Sequence, residues 1–216
     1  MPSVRAVPVQ TIRSPGFAVS RPDVRNIELI NPGSRSAMEE SWGRQRFSER
    51  QIEVFHLHDV FAVDECLVLD QQMQIIQNVS DHYTIDEYHR AVAAIEQTRK
   101  DGKLPILDGV SVMARRRAAG NYGHFLIEML PMAGVARKIY GDQIRKYLLH
   151  RAEPPMLDVN LRAFRLAGVT PDRLVITGFH EPVMCRELVV VRGLTEHGKY
   201  MSPLAPEHTD AWAESI

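Results

Sequence analysis

The stretch that decides the fold is VSVMARRRAAGNYGHFLIEMLP, from Val110 to Pro131. Val110–Ala114 is a short apolar run of the kind that forms a buried strand. Three arginines and a turn of small residues follow, and at Asn121 a helical pattern begins that continues to Tyr140. Asn121 suits the N-cap, where its side-chain oxygen can accept a free N–H of the first turn. Such a strand-to-helix handover is the unit from which α/β folds are built, and ligands bind in them beyond the carboxyl ends of the strands.

Working outward from this unit, the same alternation continues toward the C-terminus. Strands are expected at Tyr147–His150, Leu174–Thr177 and Val183–Val191. A helix over Met156–Ala167 is stopped by Gly168 with Pro171 behind it, and a final helix lies near Pro206–Ser215. This order predicts a parallel sheet with crossover helices. Toward the N-terminus, Ile52–Phe55, Val60–Val63 and Cys66–Leu69 read as three short strands of a small antiparallel meander. Asp86 reads as the N-cap of a helix over Glu87–Lys100, with Tyr88, Val92 and Ile95 on one face. Residues 1–50 carry Pro2, Pro8, Pro15, Pro22 and Pro32 and predict an irregular arm with one short strand at Asn26–Ile30. The expected fold class is therefore α/β, with an irregular arm over 1–50 and a domain over 51–216 that opens on a small β-rich segment.

Composition narrows the function classes. The chain has 216 residues, with 26 Lys and Arg against 27 Asp and Glu and a net charge of −1. Bulk charge thus shows no footprint for nucleic acid. A hydrophobic content of 44% excludes wholesale disorder. The two cysteines, Cys66 and Cys185, sit in apolar stretches without a CxxC spacing, which predicts buried thiols in a reducing compartment. The N-terminus lacks the apolar core of a signal peptide, and no apolar run is long enough to span a membrane. A cytoplasmic location is expected, with attachment to a membrane complex or to a second copy of the chain left open.

The chemistry-bearing residues lie at the start of the central helix. His124 and Glu128 are four apart and share a helix face with Asn121. A carboxylate and an imidazole in one cleft can deprotonate a hydroxyl. Free N–H groups at the helix start favour an anion and disfavour imidazolium, so His124 is expected to be neutral. Phe125, Leu126 and Met129 point elsewhere and anchor the helix. The run Arg115-Arg116-Arg117 is either a solvated strand end or a guide for a diphosphate. His124 and Glu128 alone are two ligands, short of a metal site, and no metal is expected. Neither GxGxxG, a P-loop nor GxSxG occurs. The plain alternative is a capped amphipathic helix with a hydrogen-bonded histidine.

The run NYGHFLIEMLP over Asn121–Pro131 resembles the signature of glycosyltransferase family 61, close to N-Y-x-H-[WF]-L-[LI]-[DE]-x-L-P-R. Asn121, Tyr122, His124, Phe125, Leu126, Glu128, Leu130 and Pro131 fit, whereas Met132 stands where the family has Arg. The layout from about Val110 to Pro206 is similar as well. The resemblance implies the Rossmann-like, acceptor-side N-terminal half of a metal-independent, inverting GT-B glycosyltransferase of the capsular polysaccharide biosynthesis kind. It implies a nucleotide sugar as co-substrate, a glycan or polysaccharide acceptor and no further cofactor. Of His124 and Glu128, one would be the base and the other would orient it, while Asn121, Tyr122, Arg115 and Arg117 would bind substrate. The family's second Rossmann unit does not follow before Ile216, so the expectation is a truncated chain whose own catalysis is in question. The alternative is a non-catalytic carbohydrate- or partner-binding module that retains the acceptor half.

Overall fold

The computed structural model describes residues 1–81, 83–196 and 200–213, with side chains in the last helix described through His208. The N-terminal segment holds strands β1 (Ser3–Val4), β2 (Gln10–Ser14) and β3 (Phe17–Ala18), helix α1 (Pro32–Trp42) and strand β4 (Arg46–Phe47). Next come β5 (Arg50–Val63), β6 (Leu67–Leu69), β7 (Ile75–Ile76), α2 (Ile85–Lys100) and β8 (Ile106–Met113). The central helix consists of α3 (Tyr122–His124), a π-helical turn over Phe125–Met129 and α4 (Leu130–Tyr140). The remainder is β9 (Ile144–His150), α5 (Met156–Leu166), β10 (Leu174–Thr177), β11 (Val183–Arg192), β12 (Thr195–Glu196), β13 (Tyr200–Met201) and α6 (Leu204–Ala213).

The chain is α/β. Its main sheet runs β1-β7-β6-β5-β11-β8-β9-β10, with β2 also paired to β5. From β11 to β10 every pairing is parallel, as the alternation of elements predicts. The pairings of β5 with β11, β6 and β2 are antiparallel. The expected meander is different: its first two strands are one continuous 14-residue strand. The break read between Phe55 and Val60 is real in another sense. Asp59 has a positive φ of 51°. The alternation that buries Phe55 and Leu57 in one apolar cluster passes to Val60 and Ala62 beyond it. A polar interval in the sequence marks a twist within a strand, not its end.

Three other readings are corrected. Asn26–Ile30 holds a 3-10 turn over Ile27–Leu29 instead of a strand. Residues 1–50 are not irregular throughout, because β1 pairs with β7 and β2 with β5 in the main sheet. The α2 N-cap is Thr84, not Asp86, in a reciprocal capping box with Glu87. The final helix begins at Leu204 and is described to Ala213, so Ser215 lies outside the described residues.

Packing follows from these faces. The first cluster joins β8, β9 and β11 to α4, α5 and α6 through residues such as Val112, Tyr147, Val189, Ala133, Phe164 and Ala205. Phe164 is fully buried between Tyr147 and Phe125, with ring centroids 5.4 and 6.4 Å away. Each such ring contributes about 1.5–3 kcal/mol by leaving water. A third cluster packs Tyr88, Ala91 and Ile95 of α2 on Phe61, Val63 and Leu69.

Gly193 turns the chain from the end of β11 toward β12. Its φ is +87°, and a Cβ there would stand 2.5 Å from the Gln51 carbonyl oxygen. Gly193→Ala is expected to destabilise the fold by at least about 1–3 kcal/mol, read as a lower urea midpoint with an unchanged m-value.

Candidate functional site

The strand order reverses direction at β8. The chain moves outward from β8 to β9 and β10, then returns to place β11 on the other side of β8. The carboxyl ends of β8 and β11 therefore flank a topological switch point, where α/β sheets open a crevice. The arginine run leaves the end of β8, and Arg192 and Thr195 stand at the end of β11.

The helix start closes this crevice as expected. The Asn121 side chain accepts from the backbone N–H groups of Gly123 at 2.8 Å and His124 at 3.2 Å. Phe125 and Met129 are buried in the first cluster, and Leu126 packs on it half-buried. His124 Nδ1 lies 3.0 Å from Glu128 Oε1. Glu128 is almost fully buried, at 4% exposure. The helix widens here: Leu130 N–H donates to the Phe125 carbonyl, one residue further back than in an α-helix. Pro131 accounts for the place. Inside a regular helix its ring would press on the Ile127 carbonyl, and the wider turn relieves that contact.

Arg116 completes the site. Its Nη1 stands 3.4 Å from Glu128 Oε2 and its Nη2 2.6 Å from Asp81 Oδ2. Nη1 also donates to Thr195 Oγ1 at 3.3 Å. Arg192 grips both oxygens of Asp81. Two guanidinium groups thus balance two carboxylates in a largely buried chain that ends on His124. An ionised carboxylate only accepts hydrogen bonds. Against a carboxylate, His124 Nδ1 is the donor of this hydrogen bond, and in the neutral ring Nε2 then carries the lone pair.

A cleft of about 530 Å³ opens in front of this pair. Asn121, Gly123, His124, Ile127 and Glu128 form its inner side. Its outer side is aromatic. Phe17 and Phe47 stack at 4.7 Å across β3 and β4, and Tyr200 tilts against both at 5.9 and 6.2 Å. Arg50 lies over the Tyr200 ring at 4.1 Å and pairs with Glu196 at 2.7 Å. The Tyr200 hydroxyl and the Ser202 hydroxyl each lie 2.7 Å from the buried Ser14 Oγ.

The structure brings His124, Glu128 and Asn121 together and separates the other expected residues from them. Tyr122 is exposed and does not line the cleft. Arg117 is exposed and pairs with Glu87 of α2 at 3.0 Å. The run is not a uniformly solvated strand end, because Arg115 is 1% exposed and bonds to Thr177 Oγ1 at the end of β10. Sequence reading missed Arg116 as the member of the run that reaches the helix, and Asp81, Arg192 and the aromatic wall entirely. The only signal for Arg116 was alternation: neighbours on an extended chain face opposite ways. As for cations, Arg116 already stands against Glu128. Among the described residues, a trio with donor atoms close enough to hold one lies elsewhere, at His56, His58 and Glu187. Its signal was the His-x-His spacing on a strand, which puts both rings on one face.

Both cysteines are free and buried. Burial pushes the Cys66 thiol up to about 11 and the Cys185 thiol up to about 12. Both are protonated near neutral pH and are inert as nucleophiles. No helix among the described residues is long and apolar enough to cross a membrane. No family model, no curated protein and no solved structure matches the chain.

Below the site, at the end of β9, His150 is 4% exposed and its Nδ1 has no hydrogen-bond partner among the described residues. Burial, with the nearby Arg115 charge, pushes its pKa down to about 4. The unfolded chain takes up this proton near pH 6.5 and the folded chain only near pH 4. The stability contribution is thus complete above pH 6.5 and is lost as pH falls toward 4. Between these values wild-type protein should lose up to about 1.4 kcal/mol per pH unit more than His150→Gln, measured by urea unfolding at several pH values. Separately, Arg116→Met leaves the buried Glu128 without its guanidinium, while Asp81 keeps Arg192, and should cost about 3 kcal/mol, read in the same unfolding assay at pH 7.

Proposed function

We propose that this chain is the acceptor-side part of an inverting sugar transferase of the glycosyltransferase family 61 kind, and that His124 takes the proton from the attacking glycan hydroxyl. The observation that carries the reading is the pair of half-buried His124 and buried Glu128 facing an aromatic-walled cleft at the switch point. The apolar C–H face of a sugar ring stacks on Phe17, Phe47 or Tyr200, while its hydroxyls turn toward His124 and Asn121. The cleft volume lies within the range of small-ligand sites. The hydroxyl loses its proton to Nε2, and the imidazolium so formed is stabilised by Glu128 across Nδ1–H. Glu128 is the orienting group and Arg116 holds it in place. The proposed donor is a nucleotide sugar, attacked at its anomeric carbon as the diphosphate leaves from the opposite face. No metal or further cofactor enters this step. The two protonated thiols fit a cytoplasmic setting. A second reading, glycan binding without transfer, draws on the same aromatic wall.

The test is a glycan array on this chain, combined with nucleoside diphosphate release from a panel of nucleotide sugars by the chain joined to the donor-side half that the resemblance implies. The expected result is acceptor binding, donor-dependent release, and turnover lowered by about 10²-fold or more in His124→Ala with binding retained. Glu128→Gln should lose turnover comparably, because an amide no longer stabilises the imidazolium. Binding without release from any donor would establish the second reading. Neither binding nor release would overturn both.

A further inference from the structure

Strand β5 changes character halfway along. On the face where Ile52 and Val54 are fully buried, the next two positions are His56 and His58. Glu187 of β11 stands directly opposite His58, and Val189 stands opposite His56. Register therefore puts both imidazoles and the carboxylate on one face of the sheet. One ligand atom from each lies within 4.8 Å of the other two. His56 Nε2 is already 3.0 Å from Glu187 Oε2, and the two imidazole rings stack at 4.8 Å. Tyr140, the last residue of α4, places its hydroxyl 3.2 Å from His56 Nδ1.

We propose that His56, His58 and Glu187 form a binding site for a divalent cation of the zinc type, with Tyr140 fixing the His56 ring from behind. The donor set suits such an ion: two imidazoles and a carboxylate provide three protein ligands and leave a position for water. Ligand atoms around tetrahedral zinc lie about 3.3 Å apart, given bonds of about 2.0–2.1 Å. The His56–Glu187 separation is close to that edge. His58 is exposed, so a rotamer change can bring its ring in without disturbing the core. Proton placement is consistent as well. Without metal, His56 Nε2–H donates to Glu187 and Nδ1 accepts from the Tyr140 hydroxyl. With metal on Nε2, the proton moves to Nδ1 and donates to the Tyr140 oxygen, the outer hydrogen bond that metal-bound imidazoles make.

The site is separate from the cleft. Tyr140 lies 16 residues beyond His124 along one helical run, about 24 Å at the usual rise per residue. The ion would bridge β5 to β11, the antiparallel pair that joins the parallel part of the sheet to the rest. It acts as a cross-strand clamp, and the inference does not depend on the sugar-transfer reading.

The experiment uses tag-free protein stripped with a chelator and then titrated with Zn²⁺ by calorimetry and with Co²⁺ by visible absorption. One equivalent should bind, cobalt should show the d–d bands of nitrogen and oxygen ligation, and Tm should rise. His58→Ala and Glu187→Gln should each weaken binding at least tenfold, and Tyr140→Phe by about tenfold. Stripped His58→Ala should unfold at the temperature of stripped wild type, which shows that the loss is not one of folding. His124→Ala should bind as wild type does. Absence of stoichiometric binding, equal affinity in His58→Ala and Glu187→Gln, or loss of binding in His124→Ala would each overturn the assignment.

Discussion

One guanidinium, that of Arg116, holds the centre of this molecule together. It touches a carboxylate from the segment before α2, a carboxylate from the central helix and a hydroxyl just beyond β11. Removing these charges from water costs several kcal/mol per ion, and the cost is offset only where every charge meets an opposite one in good geometry. That condition is met here. Asp81 is shared by Arg116 and Arg192, and Glu128 is shared by Arg116 and His124. The network therefore works as a position gauge: the end of β8, the end of β11 and the start of the helix must be correctly placed together for any of the charges to be satisfied.

The central helix meets a second constraint. Asn121 fixes its start, the buried rings of Phe125 and Phe164 fix its depth, and Pro131 forbids a regular spiral in between. The π-helical turn reconciles the three, and it carries Glu128 at 4% exposure. A carboxylate on an ordinary amphipathic helix would face water. Here the buried face has to accept it, and it is matched by an arginine from the segment just beyond β8.

Much of the fold could be read directly from residues. The apolar runs at Val110, Tyr147 and Leu174, with Gly168 and Pro171 as stops, marked the parallel strands and their crossovers. The pairing of His124 with Glu128, and the capping role of Asn121, followed from helical spacing. What stayed hidden depends on distant partners. Asp59 interrupts the hydrophobic alternation of β5 without ending the strand, because β11 continues alongside it in the same register. Prolines in the first 50 residues suggested an irregular arm, yet short strands fit between them when a long neighbour such as β5 supplies the hydrogen bonds. Among three consecutive arginines, local sequence does not distinguish the one buried under Thr177, the one that grips Glu128 and the one that lies in solvent.

The wall of the cleft has its own consequence. Its inner side belongs to the densely packed central helix, whereas its outer side hangs on the two-residue strands β3 and β4. These are separated by α1, which buries none of its residues. Segments with so few buried contacts open at free energies far below that of global unfolding. The cleft thus has one stiff jaw and one compliant jaw. The stiff jaw carries His124 and Glu128 and the compliant one sets the width, so the cleft can widen or narrow without disturbing the geometry at His124.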